Sequence, residues 1–312
     1  MTRKRSARQS KQPKVKANPN LILRIIKNSL ITLFVLIGLI AILLGSIWIA
    51  GPHLFALDNH KNILFASSKI DSPESNIYLA YFFPPTKEIT ISLIKSDQIS
   101  VLGGYGDYEL ERVYPLLNLE RKKDDFQLAA MSWGTRTLID SILDIKPTAQ
   151  IINKKQLQRQ LWTASLNHLT NPRESIELLK AFFFTRSVPV EQIYFSDQSI
   201  SVNELNILDN VVLYEDCLVA VVNTSEKIGL ASKMSDILEK NGAMVVRVTD
   251  QNSPYQLSTF SFSSNHGSCQ ALSKRLGVLF PGKVIQQNHS QLQQEYRADL
   301  VIFIGKDLAD LI

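Results

Sequence analysis

The sequence predicts an α/β protein held to a membrane by one N-terminal helix, and three observations lead to this class. Residues 29–50 form an uncharged apolar run. Residues 61–115 carry short strand-like runs, and residues 126–185 carry apolar residues at helical spacing. From Cys217 to the end, runs typical of strands and of helices alternate. We therefore expect a single transmembrane helix followed by two α/β domains.

The apolar run predicts the transmembrane helix because its 22 residues are enough to cross a hydrocarbon layer about 30 Å thick. A signal peptide would have an apolar core of roughly 7–15 residues and a small-residue cleavage site. This run is longer and is followed by Gly51 and Pro52. Basic residues are concentrated before it, which predicts a cytoplasmic N-terminus and an extracytoplasmic location for residues 53–312.

The net charge of +5 is unevenly distributed along the chain. Residues 1–50 hold nine basic residues and no acidic residue, so the remainder carries a net charge of −4. The basic tail contains no aromatic side chain that could stack on a base. We therefore expect the tail to attract membrane lipid, and we expect no nucleic-acid partner.

Three runs in the first outer segment, NILFASS, NIYLAYFF and EITISLI, predict strands separated by turn-forming residues. The spacing of Leu138, Ile139, Ile142 and Leu143 predicts a helix. Asn171 followed by Pro172 predicts the start of another helix, with Asn171 as its N-cap. The stretch 186–216 is weakly patterned and predicts a connection between the two domains.

The second outer segment predicts a smaller α/β sandwich. Its strand-like runs are CLVAVVN, AMVVRV, STFSFS, KVIQQ and DLVIFIGKD. Its helical runs are KIGLASKMSDILEKNG, closed by Gly242, and CQALSKRLG, closed by Gly277. Cys217 and Cys269 both fall in this segment. An oxidising exterior would permit a disulfide between them, whereas burial as separate thiols is the alternative.

A family resemblance accompanies this pattern. The matching residues are Val219, Val221 and Asn223–Ser225, then Gly229–Ala231, Gly242 with Val245 and Val246, and Ala298–Asp307. They resemble the LytR C-terminal domain, an extracytoplasmic module often found behind LytR-CpsA-Psr cell-envelope proteins. The family's usual turn glycine is Thr224 here.

The preceding segment resembles a degenerate LytR-CpsA-Psr (LCP) domain. Asn62–Phe65 stands where that family has an Asn-Ile-Leu-Leu strand, Pro85–Lys87 at its Asn-Pro-x-Thr-Lys turn, and Leu93–Asp97 at its Ser-Ile-Pro-Arg-Asp strand end. Lys69 replaces an acidic residue, and Pro73–Ser75 replaces an Arg-x-Asp motif. Of the functional residues in these motifs, Asp97 is retained.

The charge pattern and the apolar run predict a basic cytoplasmic tail at 1–28 and the transmembrane helix at 29–50. The resemblance implies the degenerate LCP-like domain at 58–210 and the LytR C-terminal domain at 217–312. Candidate ligand-binding residues are Asp97, Arg112 and Arg136, and the catalytic residues are left unassigned. The five histidines show no metal-ligand spacing, so no metal site is expected.

The family's reaction moves a lipid-pyrophosphate-linked glycopolymer onto peptidoglycan, which requires cations for the pyrophosphate and carboxylates for Mg²⁺. A lysine at position 69 repels a metal ion. We therefore expect a binding or scaffolding protein of bacterial cell-wall assembly without a cofactor. Its partners would be membrane lipid and either peptidoglycan or a polyprenyl-linked glycan. The alternative is a Mg²⁺-dependent glycopolymer phosphotransferase whose ligands have moved.

Overall fold

The structure is a computed structural model in which the chain divides into two compact units, residues 1–54 and 55–312. The residues it describes are 37–38, 45, 55–57, 59–69, 76–95, 98–102, 106–146, 149–169, 171–205, 212–213, 215–251, 254–262, 269–280, 284–288 and 294–309.

In the first unit only Ile37, Gly38 and Gly45 are described, and all three are helical. The rest of the predicted transmembrane run lies outside the described residues. Within the described ranges, no helix has the length and apolar character needed to span a bilayer.

The second unit is a mixed α/β structure, which confirms the α/β part of the predicted class. Its described strands are β1 Lys61–Ala66, β2 Ile77–Phe83, β3 Glu88–Ile94, β4 Gln98–Leu102, β5 Gly106–Glu109, β6 Ser141–Asp144, β7 Ile193–Ile200, β8 Leu218–Asn223, β9 Met244–Asp250, β10 Thr259–Phe262, β11 Ile285–Asn288 and β12 Leu300–Ile304. Its described α-helices are α1 Leu110–Leu119, α2 Asp124–Thr135, α3 Lys154–Asn167, α4 Pro172–Ser187, α5 Leu230–Lys240, α6 Gln270–Leu276 and α7 Lys306–Ala309.

The first sheet has five strands in the order β6-β1-β2-β3-β7. The three strands at its centre are antiparallel, whereas β6 and β7 pair in parallel with β1 and β3. All six residues of β1 are buried. The sheet is covered on both faces, which explains why β1 and β2 read as continuous apolar runs rather than as alternating ones.

The second sheet has the order β11-β10-β12-β8-β9, with β8 paired in parallel with both neighbours. The predicted alternation of strands and helices in this segment is confirmed. After α5, Gly242 adopts a φ of 93°, a conformation that favours glycine. After α6, by contrast, Gly277 stays right-handed and opens a 3₁₀ turn that ends at Leu279.

One hydrophobic cluster joins the two sheets. It contains Leu64 and Leu79 from the first sheet and Val219 and Val221 from the second, together with residues of α1, α2, α5 and α6. The Nε1–H of Trp133 on α2 donates a hydrogen bond of 2.8 Å to the carbonyl oxygen of Leu279. Residues 55–312 therefore share a core, and the second sheet is not a separately packed appendage.

The opposite face of the first sheet is covered by α3 and α4. Phe182, Phe183 and Phe184 of α4 are all buried there. The Phe55 ring stacks on the Phe183 ring with their centroids 5.4 Å apart, and the Phe82 ring meets the Phe184 ring at 6.3 Å. These aromatic side chains fill the space between sheet and helices.

One expectation about the first segment is wrong, and another missed a strand. Ile142 and Leu143 lie on strand β6, paired in parallel with β1, and not on a helix. The weakly patterned stretch 186–216 contains β7, which pairs in parallel with β3. In both cases the strand is fixed by a neighbour that is distant in the sequence, which local spacing does not report.

Candidate functional site

A cavity of about 1040 Å³ lies between the edge of the first sheet and helix α6 of the second. Its walls come from the segment that opens β1, from β6, from the first turn of α2, from the first half of α4 and from α6. The residues that line the cavity are far apart in the sequence, and they include His60, Asp124, Asp140, Glu177 and Arg275. A concave site of this size is large enough for a small organic ligand or a short peptide.

Strand β6 forms one wall. Asp140, which precedes it, and Ser141, Ile142 and Asp144 within it all line the cavity. In the described part of the chain, β6 pairs with β1 on one side and with no strand on the other. The Asp144 carboxylate accepts hydrogen bonds from the backbone N–H and the hydroxyl of Ser68, at 2.8 and 2.7 Å.

An ion pair connects the two sheets across the cavity. Arg275 on α6 places Nη2 3.1 Å from Oδ2 of Asp140, and the two side chains are only 12% and 23% exposed. The same nitrogen donates to the carbonyl oxygen of Leu138 at 3.2 Å, while the Asp140 carboxylate also accepts from the N–H of Asn62 at 2.7 Å. A partly buried pair with such additional hydrogen bonds fixes α6 against the first sheet.

His60 lies beside this pair and is only 7% exposed. The pKa of His60 is lowered to about 4, mainly by burial and also by the nearby Arg275 charge, while Asp140 partly opposes the shift. Its ring also meets the Phe83 ring edge-on, with centroids 5.2 Å apart. At neutral pH the imidazole is therefore uncharged, and it offers one donor and one acceptor but no positive charge.

A second charged group lies at the start of β1. Glu177 on α4 accepts from the Lys61 and Lys180 ammonium groups, both at 3.0 Å. Burial raises the pKa of Glu177, but the two lysines outweigh that effect and the net shift is downward. The Lys61 side chain is only 8% exposed, so the carboxylate compensates for a charge that would otherwise be buried without a partner.

The rim carries charges of both signs that form no such pair with a described residue. The Asp124 and Asp125 carboxylates stand at the first turn of α2, and Arg173 and Lys274 come from α4 and α6. All four residues are exposed. The deeper cations of the described walls are paired with acids, so the charges available to a ligand are those of these four rim residues. Because they include both signs, they suit a ligand that bears both ammonium and carboxylate groups.

The predicted ligand-binding residues lie elsewhere. Asp97 is outside the described residues. Arg112 on α1 is exposed and pairs with Glu109 at 2.8 Å. Arg136 follows α2 with a φ of 52° and pairs with Asp236 at 3.0 Å. Neither arginine lines the cavity, and a ligand-binding role for the three residues stays a prediction.

The cavity residues themselves escaped the sequence analysis. His60, Asp140 and Arg275 stand in different segments of the chain, with no local spacing that relates them. The available signal was weak: His60 and Lys61 are polar residues just before the apolar run at positions 63–66 of β1. Among the described residues, no three histidine, cysteine or acidic side chains come together in a way that could hold a metal ion.

The structure joins Cys217, next to β8, and Cys269, next to α6, in a disulfide with a Cα–Cα distance of 5.1 Å. Beside it, the Glu215 carboxylate accepts from the backbone N–H groups of Ala271 and Leu272 in the first turn of α6. A carboxylate at a helix N-terminus satisfies donors that have no partner within the helix. Together these contacts hold the helix that carries Arg275.

Comparison with known families assigns the second sheet. Residues 216–308 match the family model described as LytR cell envelope-related transcriptional attenuator. Neither the curated proteins nor the solved structures gave a match. The matched range runs from just before the disulfide into α7, so it includes β8–β12, α5 and α6. The chain thus carries, at residues 216–308, a LytR C-terminal domain of the type related to the cell envelope.

Proposed function

We propose that the protein is a membrane-anchored, extracytoplasmic component of the bacterial cell envelope that binds wall material in cell-wall assembly without catalysing a reaction. The observation that carries this proposal is the family match of residues 216–308. The first sheet and its helices would then be a degenerate LCP-like domain. Its sequence resemblance supports this. The domain shares a hydrophobic core with the matched domain, so the two would bind wall material as a single unit.

The disulfide supports the extracytoplasmic location. Such bonds persist in oxidising compartments and are rare in a reducing cytosol. The uncharged run at residues 29–50 supports the anchor, and the nine basic residues in residues 1–50 support a cytoplasmic N-terminus. An active topology reporter fused after Ile312 is expected only outside the cytosol. Activity confined to the cytosol would contradict the location.

The charges support binding over phosphoryl transfer. Lys69 is exposed just after β1, where the catalytic family carries an acid. In the cavity, Arg275 and Lys61 are already paired with carboxylates. Peptidoglycan peptides carry both ammonium and carboxylate groups, which matches the mixed charge of the rim.

The test is binding of the detergent-solubilised full chain to isolated peptidoglycan. Reversing the two rim cations, with Arg173→Glu and Lys274→Glu, should weaken binding roughly tenfold because both charges face the ligand. Lys233→Glu is the matched control, since Lys233 is exposed on α5 and does not line the cavity. If the rim variants bind as well as the Lys233→Glu control and the unaltered chain, the proposed site is contradicted. Mg²⁺-dependent transfer from a lipid-pyrophosphate donor, abolished by Asp97→Ala, would instead establish the phosphotransferase.

A further inference from the structure

Helix α3 presents an unusual outer face. Lys155, Arg159, Trp162, Leu166 and Leu169, here called the α3 stripe, follow one another at intervals of three or four residues. This spacing places them on one side of the helix and of the turn after it. Trp162 is 38% exposed, Leu166 47% and Leu169 66%. The stripe is therefore an exposed surface with a basic end and an apolar end.

The opposite face of α3 explains why the stripe points outward. Leu157, Leu161 and Ser165 are buried. The Ser165 carbonyl oxygen accepts a hydrogen bond of 2.8 Å from the Ser175 hydroxyl of α4. The Trp162 ring reaches the buried Phe182 ring with centroids 5.2 Å apart. Packing thus fixes the indole at the boundary between the protein interior and the surface.

The charged residues of this helix are all basic. Residues 154–167 include three basic residues and no acidic residue. Lys154 is engaged, since its ammonium group donates to the carbonyl oxygen of Arg186 at the end of α4 at 3.2 Å. Lys155 and Arg159 are exposed, and neither makes an ion pair with a described residue. Two cations beside a tryptophan and two leucines match an anionic lipid surface.

Only a short stretch of chain separates the uncharged run from the second unit. Phe55, the first residue of the folded unit, stacks on Phe183 of α4. The uncharged run ends at Ala50, and the residues between can extend at most about 18 Å. A bilayer spanned by that run therefore lies within reach of the surface around α3 and α4.

We propose that the α3 stripe docks on the surface of an anionic phospholipid bilayer, with Trp162, Leu166 and Leu169 at the headgroup boundary and Lys155 and Arg159 on lipid phosphates. This inference rests on the membrane anchor of the proposed function. A second copy of the chain is a weaker occupant, because it would bring like charges together.

The test uses the full chain with Trp48→Phe, reconstituted in vesicles whose acyl chains are brominated near the headgroup. Bromine quenches a tryptophan in contact with it, and Trp133 is a constant background because it is buried. The Trp162 signal is the difference from a variant that also carries Trp162→Phe. We expect quenching in phosphatidylglycerol vesicles and much less in phosphatidylcholine vesicles or at high salt.

Lys155→Gln with Arg159→Gln should lower the docked-to-free ratio by about fivefold for each charge removed. Lys233→Gln with Lys87→Gln removes the same charge from exposed positions off the stripe and should leave quenching unchanged. If Trp162 is not quenched although the chain stays with the vesicles through an alkaline wash, the inference is overturned but the membrane anchor is retained. Loss of the chain in that wash would overturn both. Crosslinking of two chains through the stripe, without quenching, would identify a second copy as the occupant and overturn the lipid surface.

Discussion

At the scale of single residues, His60 has a titratable ring in a site that disfavours its protonated form. Burial and the Arg275 guanidinium both lower its pKa, to about 4 against 6.5 for the unperturbed group. Between these two values the unfolded chain binds a proton that the folded chain does not. Stability is therefore complete above pH 6.5 and falls as the pH drops towards 4.

The expected cost of acidification through His60 is roughly 3 kcal/mol across this range. The measurement is denaturant unfolding of the detergent-solubilised chain at several pH values, followed by near-ultraviolet circular dichroism. His60→Gln should lose less stability on acidification than the unaltered chain. His168→Gln is the control, since His168 is less buried and lies against Glu174. Identical pH dependence in all three proteins would contradict the neutral, buried His60.

Arg275 should contribute more to stability than the arginines chosen from the sequence. Arg275→Ala leaves the Asp140 carboxylate in a partly buried position without its cation, which we expect to cost about 2–4 kcal/mol. Arg112→Ala removes a surface pair whose arginine is 71% exposed, and we expect a change below about 0.5 kcal/mol. The free energies of unfolding of the two variants test the contrast, and equal losses would contradict it.

At the scale of elements, α6 shows how a short helix is fixed from outside. Its seven residues are too few to be stable as an isolated helix. The disulfide lies at its N-terminus together with the Glu215 carboxylate, and the Arg275 contacts secure its last turn. These stabilising contacts come from two segments that are distant in the sequence. The helical run therefore predicts that α6 forms, but it does not predict which residues stabilise it.

Removing the disulfide should therefore be costly. The bond closes a loop between positions 52 residues apart, and Cys217→Ser with Cys269→Ser should lower the free energy of unfolding by about 2–4 kcal/mol. Thermal unfolding of the two proteins, with and without reductant, measures this. The double variant should be insensitive to reductant. An unaltered chain that is equally stable in reductant would contradict the role given to the bond.

The elements also show where sequence patterns lose information. Strands β1, β2 and β3 are long enough, and rich enough in β-branched and aromatic residues, to be predicted locally. Asn171 is the N-cap residue of α4 as predicted, yet its side-chain amide donates to Glu174 at 3.2 Å and no side-chain capping bond to the helix backbone forms. In the candidate site the charged pairs join residues up to 135 positions apart, and no pattern within one segment encodes such a pairing.

At the scale of the whole molecule, the shared core makes residues 55–312 one cooperative body. The hydrophobic cluster includes both sheets, and the bonds from Trp133 to Leu279 and from Arg275 to Asp140 cross between them. We expect a single unfolding transition, because the matched domain would expose much of its helix-covered face if it separated. Trp133 fluorescence and far-ultraviolet circular dichroism of the Trp48→Phe, Trp162→Phe chain should give coincident curves. Two separated transitions would contradict the shared core.

The placement of the cavity between the two sheets makes it vulnerable to loss of the distal half of the chain. A stop codon between Ile200 and Gln270 would leave every strand of the first sheet in the chain, yet the protein would lack one wall of the cavity. Asp140 would lose its guanidinium partner in such a product. Truncated chains of this kind would therefore be defective at the site even though the mutation lies more than 60 residues beyond His60 and Asp140.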